Sequence, residues 1–159
     1  YVAGTLTAEG CAASGEVTTT YNLYTVGAAA SLRVSDIDAF TPRTLPFMHQ
    51  VLLEVLDENG HVVKNADAAL HVEVKGAARL IGLENGDNRD MSQHRSNETR
   101  VTTGRVVVYV ERYDLGDITI EAAMDGCQSD IMTMKAPLFM RRLPQTKCKQ
   151  DSVLIGRID

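Results

Sequence analysis

The sequence has no tryptophan, and aromatic residues make up 5% of its 159 positions, so any exposed stacking surface has to be assembled from its tyrosines. Its three cysteines, Cys11, Cys127 and Cys148, lie far apart, with no C-x-x-C pair and no histidine at zinc-ligand spacing. That pattern argues against a metal site, and an odd, sparse count does not make a disulfide scaffold. Apolar runs are short: Val106 to Val110 is typical, whereas a membrane-spanning helix needs about 20 residues. There is no basic stripe either. The net charge of −5 is spread along the chain, which argues against nucleic acid or an anionic membrane as a partner. The chain opens at Tyr1 in an alternating pattern, with no charged n-region or apolar h-region, and reads as a piece of something longer.

What is present is the composition of a folded domain, 44% hydrophobic and 23% charged. The length suits one main core of about 100 to 150 residues and a fragment of a second. Period-two alternation dominates, in short runs rich in Val, Ile, Thr and Tyr, and there is almost no helical pattern. Val51, Leu53 and Val55 form one face of a strand, with Glu54 on the other. Leu70, Val72 and Val74 interleave with His71, Glu73 and Lys75; Val106, Val108 and Val110 with Val107 and Tyr109; Ile118, Ile120 and Ala122 with Thr119 and Glu121. Each pattern predicts a half-buried antiparallel strand. Turn chemistry separates them: Glu58-Asn59-Gly60, Glu84-Asn85-Gly86-Asp87 and Asp125-Gly126. Continued to Ile131–Lys135, the spacing predicts about seven strands over residues 28–136 and a two-sheet sandwich, with a small barrel as the alternative.

Ahead of this unit, Gly4 to Ala8, Ala12-Ala13-Ser14-Gly15 and Glu16 to Thr25 read as strand, turn and strand. A lone hairpin is marginal in water. It therefore packs on the sandwich or is the terminal hairpin of a preceding β domain, and residues 1–27 are assigned to the latter. Ser35 to Pro46 reads as a loop, and Asn88 to Glu98 as a long polar loop of the kind that contacts ligands or neighbours. Residues 137–159 stay unassigned, with Val153-Leu154-Ile155 as a candidate final strand.

Spacing supports no catalytic constellation. Glu84, Asp87 and Asp90 invite comparison with an acid/base pair or a calcium cluster, but Asn-Gly-Asp is what a tight turn needs and the Asp-x-Asp-x-Asp-Gly arrangement is missing. His71 falls on an exposed strand face and His94 in the polar loop, while His49 and His61 flank turns. No Ser/His/Asp or Cys/His set emerges, and no cofactor is expected.

The order Leu53-Glu54-Val55-Leu56-Asp57-Glu58-Asn59-Gly60-His61-Val62-Val63, then Asn65-Ala66-Asp67, Val72-Glu73-Val74, Arg79-Leu80-Ile81-Gly82-Leu83-Glu84-Asn85-Gly86-Asp87 and Thr103-Gly104-Arg105-Val106 resembles the C-terminal immunoglobulin-like domain of family 2 glycoside hydrolases of the β-galactosidase type. Gly4 to Gly10 and Thr25-Val26-Gly27 resemble the end of the domain before it, so the likeness covers roughly residues 4–126. It implies an all-β, immunoglobulin-like antiparallel sandwich without an active site. The parent's retaining chemistry would use two carboxylates about 5 Å apart on a catalytic barrel. Neighbouring domains are the implied partners, oligosaccharide a further one, and the implied location is extracytoplasmic. Sugar modules stack pyranose rings on exposed aromatics. Here that role would fall to Tyr109 and Tyr113, weighed against core or edge packing. Together with Asn85, Asp87 and His94 these are the candidate ligand or interdomain contacts. The alternative reading is an autonomous carbohydrate-binding or cell-surface adhesion module.

Overall fold

Among the described residues, alternation in the sequence becomes ten strands and no helix. The computed structural model describes residues 2–38 and 44–136. The candidate strand at Val153-Leu154-Ile155 and Cys148 lie outside them. The first two strands, β1 (Thr5–Cys11) and β2 (Val17–Tyr24), form an antiparallel hairpin closed at Ala12-Ala13-Ser14-Gly15, where the Gly15 amide donates to the Ala12 carbonyl at 2.9 Å.

Eight more strands follow: β3 (Ser31–Asp36), β4 (Phe47–Leu56), β5 (Ala68–Gly76), β6 (Ala78–Glu84), β7 (Glu98–Val101), β8 (Arg105–Arg112), β9 (Ile118–Met124) and β10 (Asp130–Met134). They make two four-stranded antiparallel sheets, β3-β4-β8-β6 and β10-β9-β5-β7. The first sheet has the A-B-E-D order of an immunoglobulin domain, and β5, β9 and β10 supply C, F and G. The fold is therefore a sandwich of immunoglobulin type with one additional short strand, β7, and not a barrel. On the β3/β10 side the sheets are tied together: the Leu32 amide donates to the Gln128 carbonyl at 2.9 Å and the Val34 amide to the Asp130 carboxylate at 2.7 Å.

The core is the set the alternation marks out. Val51, Leu53 and Val55 of β4 and Val106, Val108 and Val110 of β8 face Leu70 and Val72 of β5 and Ile118, Ile120 and Ala122 of β9, all buried in one cluster. On the outer face of the first sheet, β4 carries a buried Glu54 whose register partners are Arg33 of β3 and Arg105 of β8. Both guanidinium groups donate to its carboxylate, one to each oxygen. Burial alone would raise this carboxyl, but those hydrogen bonds and charges outweigh it and hold it below the ordinary glutamate value.

Four expectations change. There are eight sandwich strands over 28–136 instead of about seven, because β7 is four residues long and too short to show a period. β3 runs on through Ser35 and Asp36, which continue the ladder against Leu52 and Val51, so the predicted loop starts later. The polar loop ends at Asn97, since Glu98 already pairs with His71 in β5. His49 does not flank a turn: it lies inside β4 in the inward-facing series Phe47, His49, Val51, and is buried.

Candidate contact surface

The Glu84-Asn85-Gly86-Asp87 turn opens a loop from β6 to β7 in which Glu84, Asn85, Asp87 and Asp90 bond to the loop itself and to β7. Asn85 is 3% exposed; its Nδ2 donates to Asp90 Oδ2 at 2.6 Å and to the Arg100 carbonyl at 2.9 Å, and its Oδ1 accepts from the Asp87 amide. Asp87 in turn accepts from the Arg89 side chain and amide, and Asp90 from the Ser92 amide. These bonds hold both carboxyls below their ordinary values, Arg89 being the main cause for Asp87 and the Ser92 amide for Asp90. The Glu84 carboxylate likewise accepts from the Gly86 amide.

His94 fastens the far end of the loop. Its carbonyl accepts from the Leu83 amide at 2.9 Å, and its Nδ1 lies 3.2 Å from the Leu83 carbonyl, a contact in which the ring nitrogen is the donor. Gly82 makes the approach possible, because a Cβ there would sit 2.8 Å from the His94 carbonyl oxygen. Between loop and sheet lies an open cleft of about 620 Å³ lined by Arg79, Leu80, Ile81, Gln93, Arg95 and Asn97, among others.

Tyr109 lies on the outer face of β8, and Tyr113 follows just past the end of that strand, so the two do not adjoin. They are four positions apart along largely extended chain, about 13 Å, and Glu111 stands between, bound to Arg79 Nε at 2.6 Å. Tyr109 is half-buried opposite Gln50 of β4 and Gly82 of β6. Tyr113, 50% exposed, donates its hydroxyl to the Gly76 carbonyl at 3.1 Å and borders a second cleft of about 440 Å³ with Leu45, Pro46, Arg79 and Glu111. The structure thus brings Asn85, Asp87 and His94 together in one loop and leaves the two tyrosines apart. Arg79, which sequence reading did not single out as a contact residue, lines both clefts.

A second surface is carried by the hairpin. Leu6 pairs with Leu23 and Ala8 with Tyr21, and this apolar face is uncovered, Leu6 at 69% and Tyr21 at 66% exposure. Its junction with the sandwich is narrow: Tyr24 stacks on His61 with centroids 4.2 Å apart, and the Gly27 amide donates to Asp57 Oδ2 at 2.9 Å. Asp57 Oδ1 also accepts the Asn59 and His61 amides. These backbone hydrogen bonds, that of Gly27 first, hold its carboxyl below the ordinary range.

At one end of the sandwich the β3 terminus and β4 bring Asp36, Asp38 and His49 together, with a carboxylate oxygen or ring nitrogen of each within 4.8 Å of the others. No spacing rule pointed to them, since His49 follows Asp38 by more than a turn and is placed beside it by strand pairing. Burial lowers the His49 pKa; Asp36 opposes that and Arg112 adds to it.

Comparison with known proteins places this architecture. The chain matches the family described as glycoside hydrolase family 2 C-terminal domain 5 over residues 48–133. It is similar to Beta-galactosidase BoGH2A of Bacteroides ovatus, 23% identical over 124 residues, which are 77% of this chain and 15% of that protein. Among solved structures it resembles a beta-glycosidase from Bacteroides vulgatus (TM-score 0.76, 20% identity, 86% of this chain, 18% of that one). It also resembles a glycosyl hydrolase family 2 member from Bacteroides cellulosilyticus DSM 14838 (TM-score 0.76, 20% identity, 85% of this chain, 19% of that one). The chain therefore spans less than a fifth of the length of each of these relatives. With the match covering more than half its length, the chain belongs to the glycoside hydrolase family 2 C-terminal domain 5 family.

Proposed function

We propose that this chain is a non-catalytic accessory module at the C-terminal end of a β-galactosidase-like family 2 hydrolase, working by packing against the neighbouring domains of that enzyme. The observation that carries this reading is the uncovered apolar face Leu6, Ala8, Tyr21 and Leu23, on a hairpin joined to the sandwich only narrowly. Apolar faces of this kind on a well-folded chain are interaction surfaces. Residues 1–27 are then the terminal hairpin of the preceding β domain, and 28–136 the accessory sandwich.

The carboxylates support the same reading. Glu84, Asp87 and Asp90 are engaged in holding their loop, and Glu54 is clamped between two arginines. Hydrolysis belongs to the barrel of the parent enzyme, by a retaining mechanism. The rigid loop carrying Asn85, Asp87 and His94, with Tyr113 and Tyr109 on the adjoining face, is the second contact region, for a neighbouring domain or an oligosaccharide passing along it. An extracytoplasmic location is part of this proposal; among the described residues no helix is long and apolar enough to cross a membrane.

The test is a calorimetric titration of the chain with galactosides, glucuronides and plant oligosaccharides beside a chromogenic glycosidase assay. Neither heat of binding nor turnover is expected. Saturable binding lost in Tyr113→Ala would favour the autonomous carbohydrate-binding module, and turnover abolished by one carboxylate substitution would overturn the accessory assignment.

A further inference from the structure

We propose that Asp36, Asp38 and His49 form a binding site for one divalent transition-metal ion of the zinc type, which staples the end of β3 to β4. His49 is 4% exposed, and among the described residues neither ring nitrogen has a hydrogen-bond partner. A buried imidazole with two orphaned nitrogens is costly unless something occupies one of them. Nδ1 faces Asp38 Oδ2 at 3.5 Å, a contact at ion-pair distance, long for a hydrogen bond and close to the edge, about 3.4 Å, of a tetrahedron with metal–ligand bonds of about 2.1 Å. Asp36 supplies the third ligand from the exposed end of β3, with a carboxylate oxygen within 4.8 Å of the other two donors.

The surroundings orient these donors as metal ligands are usually oriented. The Gln50 amide donates to Asp38 Oδ2 at 2.8 Å and the Asp38 amide to Asp36 Oδ1 at 3.0 Å. An imidazole and two carboxylates suit zinc, cobalt(II) or manganese(II). A cleft of about 250 Å³ beside Asp36 and His49 leaves room for water as the fourth ligand. Two cations share that cleft: Arg112, whose Nη1 donates to the Asp114 and Gly116 carbonyls while its Nε has no hydrogen-bond partner among the described residues, and Lys135, whose Nζ binds Asp117 Oδ2 at 2.9 Å; Asp117 attracts both.

The metal-free full chain is titrated with Zn²⁺ by calorimetry and with Co²⁺ by absorption. One ion per chain is expected, with the intense visible bands of four-coordinate cobalt and a thermal midpoint that rises with Zn²⁺. Asp36→Asn, at an exposed position that leaves the fold intact, should weaken binding by at least about 10-fold, and His49→Gln should abolish it. No uptake by the unaltered chain overturns the proposal. So does uptake unchanged in Asp36→Asn, or a thiolate-to-cobalt charge-transfer band that assigns the metal to cysteine.

Discussion

Gly104 sits between the start of β8 and the Val63 segment with a φ of +74°, and a Cβ there would lie 2.3 Å from the Val63 carbonyl oxygen. Its own carbonyl accepts from the Val55 amide at 2.9 Å, so the backbone cannot retreat without losing a bond in the middle of the fold. Gly104→Ala should therefore destabilise by about 2 kcal/mol or more, measured by denaturant unfolding. Glu54 allows a prediction on pH. Its folded-state carboxyl lies below the ordinary 4.5, so the unfolded chain binds the proton more tightly. The resulting stabilisation is full above that value and is lost as pH falls through the folded one. Glu54→Gln should lower stability at neutral pH and flatten the acid limb of the stability curve below about pH 4.5, read from urea midpoints across pH. Residue identity was legible at Glu54 as an outward position in an alternating strand. Its clamp between Arg33 and Arg105 was not, because those partners are 21 and 51 positions away and meet it only through register.

At the scale of elements, the loop between β6 and β7 is long but tightly held. Asn85 makes three hydrogen bonds from a buried position, and losing them leaves the Arg100 carbonyl and the Asp87 amide without their partners. Asn85→Ala should cost about 2–3 kcal/mol and speed hydrogen exchange at the Leu83 amide, which binds His94 across the loop. The turn itself was readable from Asn85-Gly86-Asp87. What was not readable is that the same asparagine reaches Arg100, in β7 beyond the loop, since polarity signals a loop and says nothing of its bonding. The strands were legible wherever five or more residues alternate, as in Val51 to Val55 and Val106 to Val110. They were misread at Ser35-Asp36 and at Glu98, where polar residues complete a ladder whose partner strand supplies the apolar side.

At the scale of the whole molecule, the described residues form two unlike parts: a sandwich with a continuous buried core, and a hairpin whose apolar face is bare. Leu6→Lys with Leu23→Glu replaces the centre of that face by a cross-strand pair of opposite charge, which preserves the hairpin. The isolated chain should keep its thermal midpoint, whereas the longer protein that the proposed function implies should melt earlier as the hairpin leaves its neighbour, measured by calorimetry on both. An unchanged midpoint in the longer protein would argue against the hairpin belonging to a preceding domain. By itself the sequence determined the strands, their turns and the inward set of Val, Leu and Ile, because period-two alternation is a local property that survives in one dimension. Family likeness followed from the same local order. Only the tertiary structure decided that β7 joins β5, that Arg79 borders two clefts, and that His49 is buried beside Asp36 and Asp38. Each of those depends on strand register and sheet stacking, which set distances between residues far apart in the chain and leave no trace in its local pattern.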